Sequence, residues 1–340
     1  QASIDHKIDG IVAYASDPAA PTAAFVGNEM GLQSNPYPAV LTLTDKSLFR
    51  TFLKNQNFNM PRNRSASSLQ ELNEVALGLT MPLMLKPVDS SGSKGVSKVD
   101  KTVSLRLAFE NAMSFSRKKR GIIEEFIVRS GNQIAGDAFI VDGKIAFYCL
   151  GDEHFNLNYN LHVPMGETFP THLSEKAQIK IIDEVQRLVT LLGMKIGALN
   201  IDVIIDSNKN IFLIEVGPRN GGNLIPEVIK KITGTDLIAH TVDAALGMPI
   251  RNLKRSPSRG FFASYILHTD TCGVFKGVIV DKLIKPKIIQ MEIYAKSGDR
   301  IFPFDGSHCG LGSAILSFDS ASEMRNLMPQ LPRLIKIDHI

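Results

Sequence analysis

The sequence predicts a mixed α/β (α+β) fold built in more than one lobe, and three observations predict it. Strand-type and amphipathic helical runs alternate along the chain, as they do where helices cover sheets. A length of 340 residues exceeds what one hydrophobic core ordinarily serves and fits two or three lobes. With 44% hydrophobic and 21% charged residues, the composition is that of a globular chain.

Taken in order, Ile11 to Tyr14 reads as a short strand, followed by a loop and a helix ending near Gly31. Thr44 is placed as the N-cap of a helix from Asp45 to about Asn55, and Pro61 marks the break after it. Ser68 to Leu79 is predicted helical because Leu69, Leu72, Val75, Ala76 and Leu79 share one face. A strand from Leu83 to Lys86 runs into the small-residue loop Asp89 to Gly95 and a short strand, Val96 to Val99. A helix from Leu105 to Phe115, a strand from Gly121 to Val128 and a hairpin from Gln133 to Leu150 follow, the hairpin turning at Val141-Asp142-Gly143-Lys144. Glu175 to Leu192 is the longest amphipathic helix, with Ile179, Ile182, Val185, Leu188, Val189 and Leu192 as its buried stripe. Leu237 to Leu246 is a helix closed by Gly247, and the basic, Pro257-containing stretch from Arg251 to Arg259 reads as a linker. Beyond it lie short strands and a helix near Ser322 to Met328, stopped by Pro329.

Composition also excludes function classes. No apolar run approaches the roughly 18 residues that span a bilayer, and no basic-then-apolar segment opens the chain, so no membrane role and a cytoplasmic location are expected. Cys149, Cys272 and Cys309 are scattered without a C-x-x-C pair, which argues against a disulfide framework or a zinc site. The net charge of +4 is small, and the basic run Arg117 to Arg120 reads as an exposed helix end, so nucleic acid is set aside.

The stretch Ile196 to Arg219 carries the strongest chemical signal. Two strand-type runs flank Ser207 to Asn210, and a four-residue loop there would pair Asp206 with Ile211 and set Asp202 opposite Glu215. Opposed side chains sit roughly 4.5 to 5.5 Å apart at Cβ, where like charges are destabilising unless a cation lies between them. Mg²⁺ is the natural occupant, since hard cations take carboxylate oxygens; a rim of solvated acids is the alternative. The loop Ser90-Ser91-Gly92-Ser93-Lys94-Gly95 follows Leu85-Lys86-Pro87, and its glycines and serines could bring N–H and O–H donors to a polyphosphate. The P-loop order is absent, and such a loop by itself can be an ordinary turn.

Together these segments resemble the ATP-grasp superfamily of carboxylate ligases from about Leu41 to the C-terminus. The matching residues come in family order: Asp45-Lys46 with Arg50, Leu85-Lys86-Pro87, the glycine-serine loop, Ile123-Glu124-Glu125-Phe126-Ile127, the 141–144 hairpin, Asn200-Ile201-Asp202 and Glu215-Val216-Gly217-Pro218-Arg219. The Glu-x-x-x-Arg pattern of Glu215 and Arg219 is similar to the carbamoyl-phosphate-synthase-like and amino-acid-ligase branch. The resemblance implies an ATP-grasp fold over 43–252, with a small lobe at about 60–124 and a large lobe at about 125–252. A partial Rossmann-like segment, 1–42, would precede it, lacking the family's first βαβ portion, and a small α+β domain, 253–340, would follow.

It implies further that Lys46 and Lys86 contact the phosphates of ATP under a lid formed by Ser90, Ser91, Gly92, Ser93, Gly95 and Val96. Glu124, with the backbone of Glu125, Phe126 and Ile127, would read adenine, and Gln133 would meet the ribose where relatives carry an acid. Asp202 and Glu215 would hold Mg²⁺ (or Mn²⁺). Gly217 stands where many members carry a metal-binding asparagine, leaving Asn220, Asn200 or water as a further ligand. Arg219 would be the catalytic residue stabilising an acylphosphate. Asn220-Gly221-Gly222-Asn223 and the polar segment Asp152 to His162 are candidates to line the substrate pocket, although any one residue of the latter reads more simply as solvated loop. His154 and His162 lack metal-ligand spacing. The expected activity is ATP-dependent joining of a small-molecule carboxylate to an amine, with amino-acid ligation as one candidate, ADP and phosphate released and a homodimer as one form. Bicarbonate activation and a non-catalytic ATP-binding module stand as alternatives.

Overall fold

The computed structural model describes every residue except Gln1, Asn158, Asn252 and 254–256, together with all side chains but those of Ala2 and Val103 among the rest. The predicted linker at 251–259 therefore lies in part outside the described residues. Strands β1 (Asn63–Ala66), β2 (Leu83–Pro87), β3 (Ser97–Val99) and β4 (Gly121–Glu125) form an antiparallel sheet in the order β1-β4-β2-β3. Alternation is clear along β2, and Leu83 and Leu85 with Val99 and Ile123 turn to one face and pack under the helices Leu69–Ala76 and Leu105–Phe115. Met84, Lys86 and Glu124 are left on the other face, toward a cleft.

The second sheet has eight strands. After β5 (Ile134–Val141), β6 (Lys144–Asn156), β7 (Asn160–Phe169), β8 (Gly197–Ile205) and β9 (Ile211–Gly217), the chain adds β10 (Phe261–Leu267), β11 (Gly273–Val280), β12 (Ile288–Ile293), β13 (Arg300–Ile301), β14 (Gly312–Phe318) and β15 (Ile335–His339). The large sheet runs β12-β14-β10-β7-β6-β5-β8-β9, and β13-β11-β15 form a third. Leu199, Ile201 and Val203 of β8 face the core formed with Ile181, Ile182, Val185, Leu188 and Val189 of the helix Glu175–Leu192. Asn200 and Asp202, one residue out of phase, therefore turn to the opposite face.

Several expectations are corrected. Ile11 to Tyr14 is not a strand: a four-residue segment with no strand beside it among the described residues has no ladder to join. The N-cap is Asp45, whose carboxylate accepts from Ser47 and Leu48 N–H at 2.9 and 3.1 Å, because Thr44 closes an unpredicted helix, Tyr37–Thr44, with Pro38 in its first turn. The helix Ile225–Thr233 was likewise unpredicted. Ile179 is 45% exposed, and Ile181 takes its place in the buried stripe. The predicted loop from Asp152 to His162 is the meeting of β6 and β7, a strand hidden by Pro164 and Gly166. The 141–144 turn is found as predicted, with Asp142 and Gly143 at φ +49° and +75°, as a type I′ hairpin requires.

Candidate active site

The four-stranded sheet faces β8 and β9 across a cleft of about 270 Å³. Lys46, Lys86, Ser90, Ser91, Ser93, Val96, Glu124, Glu125, Phe126, Ile127, Gln133, Asp202 and Glu215 all line it, so residues 169 positions apart in sequence (46 to 215) meet there. Gly92 and Gly95 shape the loop rather than line the cleft, and Arg219 lies outside it.

Lys46 is delivered by its helix. Asp45 caps the helix, Lys46 N–H donates to Val88 O at 2.8 Å, and Lys46 Nζ reaches both Ser90 O, at 2.7 Å, and Glu215 Oε2, at 3.3 Å. Lys86 and Glu124 sit diagonally on β2 and β4, with Nζ 2.8 Å from Oε2. Glu124 Oε1 accepts from Arg50 Nε at 2.7 Å, and Arg50 also donates to Leu213 O and Ile214 O at 3.3 and 3.0 Å. Burial alone would push the Glu124 carboxyl up, but Arg50 and Lys86 outweigh it and hold the group down at about 2. Glu124 is thus a fixed anion whose carboxylate is committed to two cations.

Asp202 and Glu215 are directly opposed. The route differs from the predicted four-residue loop: residues 206–210 make a five-residue turn, Ile205 pairs with Ile211, and a bulge between Asp202 and Val203 restores the opposition. Burial and then the Glu215 charge raise the Asp202 carboxyl to about 7, whereas Glu215, also raised by burial, is brought below its ordinary value by Lys46 and Arg219. Lys46, 3.3 Å from Glu215, favours the charge on Glu215, and Asp202 is the member of the pair whose charge is opposed.

Arg219 is near enough to Asp202 and Glu215 for its charge to pull both carboxyls down, but its guanidinium is already engaged. Its guanidinium makes a bidentate pair with Asp17, at 2.9 and 2.6 Å, and donates to Asn220 O at 3.1 Å. A Cβ on Gly217 would lie 2.8 Å from Asp17 Oδ1 and 3.0 Å from Arg219 Cζ, so this pair fills the space that a larger side chain at 217 would need. Asn220 is fully buried with Oδ1 accepting from Thr241 at 2.9 Å, and the Asn200 amide donates to Asp137 at 3.0 Å. The Asn200 amide and the Asn220 oxygen are thus engaged within the fold, while Asn220 Nδ2 is buried without a hydrogen-bond partner.

The loop backbone enters left-handed space at Gly92, Ser93 and Gly95. A Cβ at Gly95 would meet Phe115 at 3.0 Å, and Ser307 N–H donates to Gly92 O at 2.9 Å, so the loop is pinned at these points while Ser90, Ser91 and Ser93 remain on the cleft. Added MgATP is expected to slow amide hydrogen exchange across 90–95, because phosphate oxygens would give these N–H groups partners; unchanged exchange at saturating nucleotide would count against a lid.

Arg129 and Lys98 also line the cleft and were not singled out from sequence, whereas Glu153, Phe155, Leu161 and His162 line it from the polar segment that was a candidate to do so. Glu153 was visible only as one residue of a polar segment; knowing that β6 continues to Asn156 would have turned it to the cleft face. Asp305, His308 and Cys309 gather within 4.8 Å on one short turn, a grouping the scattered cysteines did not announce.

Among known proteins, the carbamoyl phosphate synthase large chain of Thermoanaerobacter sp. (strain X514) is 26% identical over 236 residues, 68% of this chain. The match covers 21% of that protein, so the chain spans about a fifth of its length. The crystal structure of L-amino acid ligase from Bacillus licheniformis superposes with a TM-score of 0.83 at 21% identity, covering 100% of this chain and 83% of that one. Phosphoribosylglycinamide synthetase from Anaerococcus prevotii superposes at 0.70 with 20% identity, covering 99% and 84%. The ATP-grasp domain family matches residues 43–223, more than half of the chain and the whole lysine-and-carboxylate cleft from Lys46 to Glu215, and the chain belongs to that family.

Proposed function

We propose that the protein is an ATP-dependent ligase that activates a carboxylate as an acylphosphate and joins it to an amine, releasing ADP and phosphate. The observation that carries this reading is the juxtaposition of Asp202 and Glu215 with Lys46 and Lys86 in one cleft roofed by the serine-glycine loop. Lys46 and Lys86 would bind phosphates, each already within reach of a carboxylate that holds it in place. The strand end Glu125 to Ile127 would receive adenine, with Glu124 acting through Lys86 and Arg50 rather than on the base, since its carboxylate is already engaged.

Mg²⁺, or Mn²⁺ in its place, fits the donor set of Asp202 and Glu215 and would supply charge neutralisation between anionic carboxylate and phosphate. Arg219, paired with Asp17, would reach the reacting group by exchanging that partner for an anionic substrate.

With ATP and magnesium present, ADP release should require an added carboxylate, and hydroxylamine should trap the activated acyl group as a hydroxamate. The absence of a covalent-nucleophile motif makes acylphosphate the simplest activated form. Release with bicarbonate alone would favour a carboxylase-type reaction, and no release from any carboxylate under conditions of demonstrated ATP binding would favour a non-catalytic module.

A further inference from the structure

The turn between β13 and β14 gathers three metal-ligand side chains outside the cleft. Asp305, His308 and Cys309 each offer one donor atom, and the three atoms lie within 4.8 Å of one another. A single 3₁₀ turn, Ser307–Cys309, carries two of them. Asp305 Oδ1 is the hub, 3.6 Å from His308 Nε2 and 3.4 Å from Cys309 Sγ. Metal bonds of about 2.0 to 2.3 Å at tetrahedral angles separate their donor atoms by roughly 3.3 to 3.6 Å, so the turn already holds two edges of such a tetrahedron. Asp305 and His308 are exposed and leave an entry for an ion, while Cys309 is 8% exposed and packs with Val163, Ile266 and Phe304.

We propose that Asp305, His308 and Cys309 bind a divalent ion of the zinc class, with the fourth position open to water, and that this ion clamps the 90–95 loop from outside the cleft. The donor set selects the ion: thiolate and imidazole suit Zn²⁺ or Co²⁺, whereas Mg²⁺ demands oxygen ligands in an octahedral array. The site is therefore chemically distinct from the all-oxygen pair of Asp202 and Glu215. Its charge also balances, because carboxylate, thiolate, neutral imidazole and a divalent cation sum to zero. The Cys309 proton goes to solvent when the ion binds, and nothing is oxidised or transferred. One cysteine suffices for this set, so the missing C-x-x-C pair does not bear on it.

The clamp follows from what the turn touches. Ser307 N–H donates to Gly92 O at 2.9 Å, and a Cβ at Gly92 would collide with Ser307 Oγ, so turn and loop are in direct apposition. A Cβ at Gly306 would lie 3.1 Å from Lys94 Cγ. His308 reaches the other flank: its ring is 5.2 Å from that of Phe115, the side chain that a Cβ at Gly95 would meet at 3.0 Å. An ion held by His308 and Cys309 therefore removes conformational freedom from the residues that bracket the loop.

The test is a Co²⁺ titration of the full chain with excess Mg²⁺ present, on the unaltered protein, Asp305→Asn, His308→Gln, Cys309→Ser and, as control, Cys272→Ser. The expected result is one Co²⁺ with a thiolate-to-cobalt charge-transfer band in the near ultraviolet, retained in Cys272→Ser and lost in Cys309→Ser. Affinity should fall at least about tenfold in each of the three ligand variants, and Zn²⁺ should bleach the band by displacing the cobalt. Asp305→Asn and His308→Gln alter exposed side chains, so they carry the test should Cys309→Ser fail to fold. In a second arm, Zn²⁺ without nucleotide should slow amide exchange across 90–95 at least about threefold in the unaltered protein and leave it unchanged in His308→Gln. Neither arm depends on turnover. Cobalt bound without the band, or with equal affinity in all five proteins, would overturn the site as adventitious uptake. No uptake at micromolar cobalt would overturn it in favour of a simple hydrogen-bonded turn, and uptake through Cys309 with loop exchange unchanged would overturn the clamp.

Discussion

Replacing Glu215 by Gln is expected to reduce carboxylate-dependent ADP release by at least about 100-fold while leaving nucleotide affinity within a few-fold of the unaltered protein. The substitution keeps the volume and one oxygen but removes the charge that opposes Asp202. Without that charge the pair no longer presents two anionic oxygens to a hard cation. Nucleotide contacts would survive for a reason visible in the cleft: Lys46 keeps its bond to Ser90 O, and Lys86 keeps its partner in Glu124. Lys46 even loses a competitor, because its 3.3 Å contact with Glu215 disappears. A suitable control is Asp206→Asn on the same hairpin, an acid outside the cleft that caps its own turn by accepting from Asn208 and Asn210 N–H at 2.9 Å each. Steady-state ADP release together with calorimetric titration of nucleotide checks both halves, and normal turnover in Glu215→Gln would remove the metal assignment.

How much of this was legible in the sequence can be judged from particular residues. Local information placed most strands and helices, because alternation and 3.6-residue periodicity are short-range patterns; the helix Leu105–Phe115 is found at its predicted limits. The opposition of Asp202 and Glu215 was also legible, though through a loop one residue too short. Asp206 joins the turn as a side-chain acceptor, Lys209 takes a left-handed conformation, and the bulge beside Asp202 absorbs the added residue. Nothing local announces that compensation. Strand β7 was missed because Pro164 and Gly166 mimic loop punctuation, and with it went the partner of Glu153. The pairing of Asp17 with Arg219 spans 202 residues, and no pattern within either segment indicates it.

The same limit applies to Arg50, read from sequence only as a companion of Lys46. Its replacement by Met is expected to destabilise the fold by about 3–5 kcal/mol, the usual cost of stranding one member of a buried ion pair. Arg50 is 1% exposed and joins three elements: its own helix, Glu124 of the small sheet, and the carbonyls of Leu213 and Ile214 on β9. Met fills comparable volume, so the loss would come from the stranded anion and unpaired carbonyls rather than from a cavity. Two consequences separate this account from simple repacking. The double variant Arg50→Met with Glu124→Gln should recover at least half of the loss, since it removes the uncompensated charge. The penalty of the single variant should also shrink as pH falls from about 4.5 toward about 2: Glu124 is depressed in the native protein, so its contribution is present above the unfolded value of 4.5 and is lost as acid titrates the folded group. Denaturant unfolding at several pH values measures both. A penalty independent of pH, with no recovery in the double variant, would show that Arg50 acts through packing and leave Lys86 as the sole electrostatic partner that matters to Glu124.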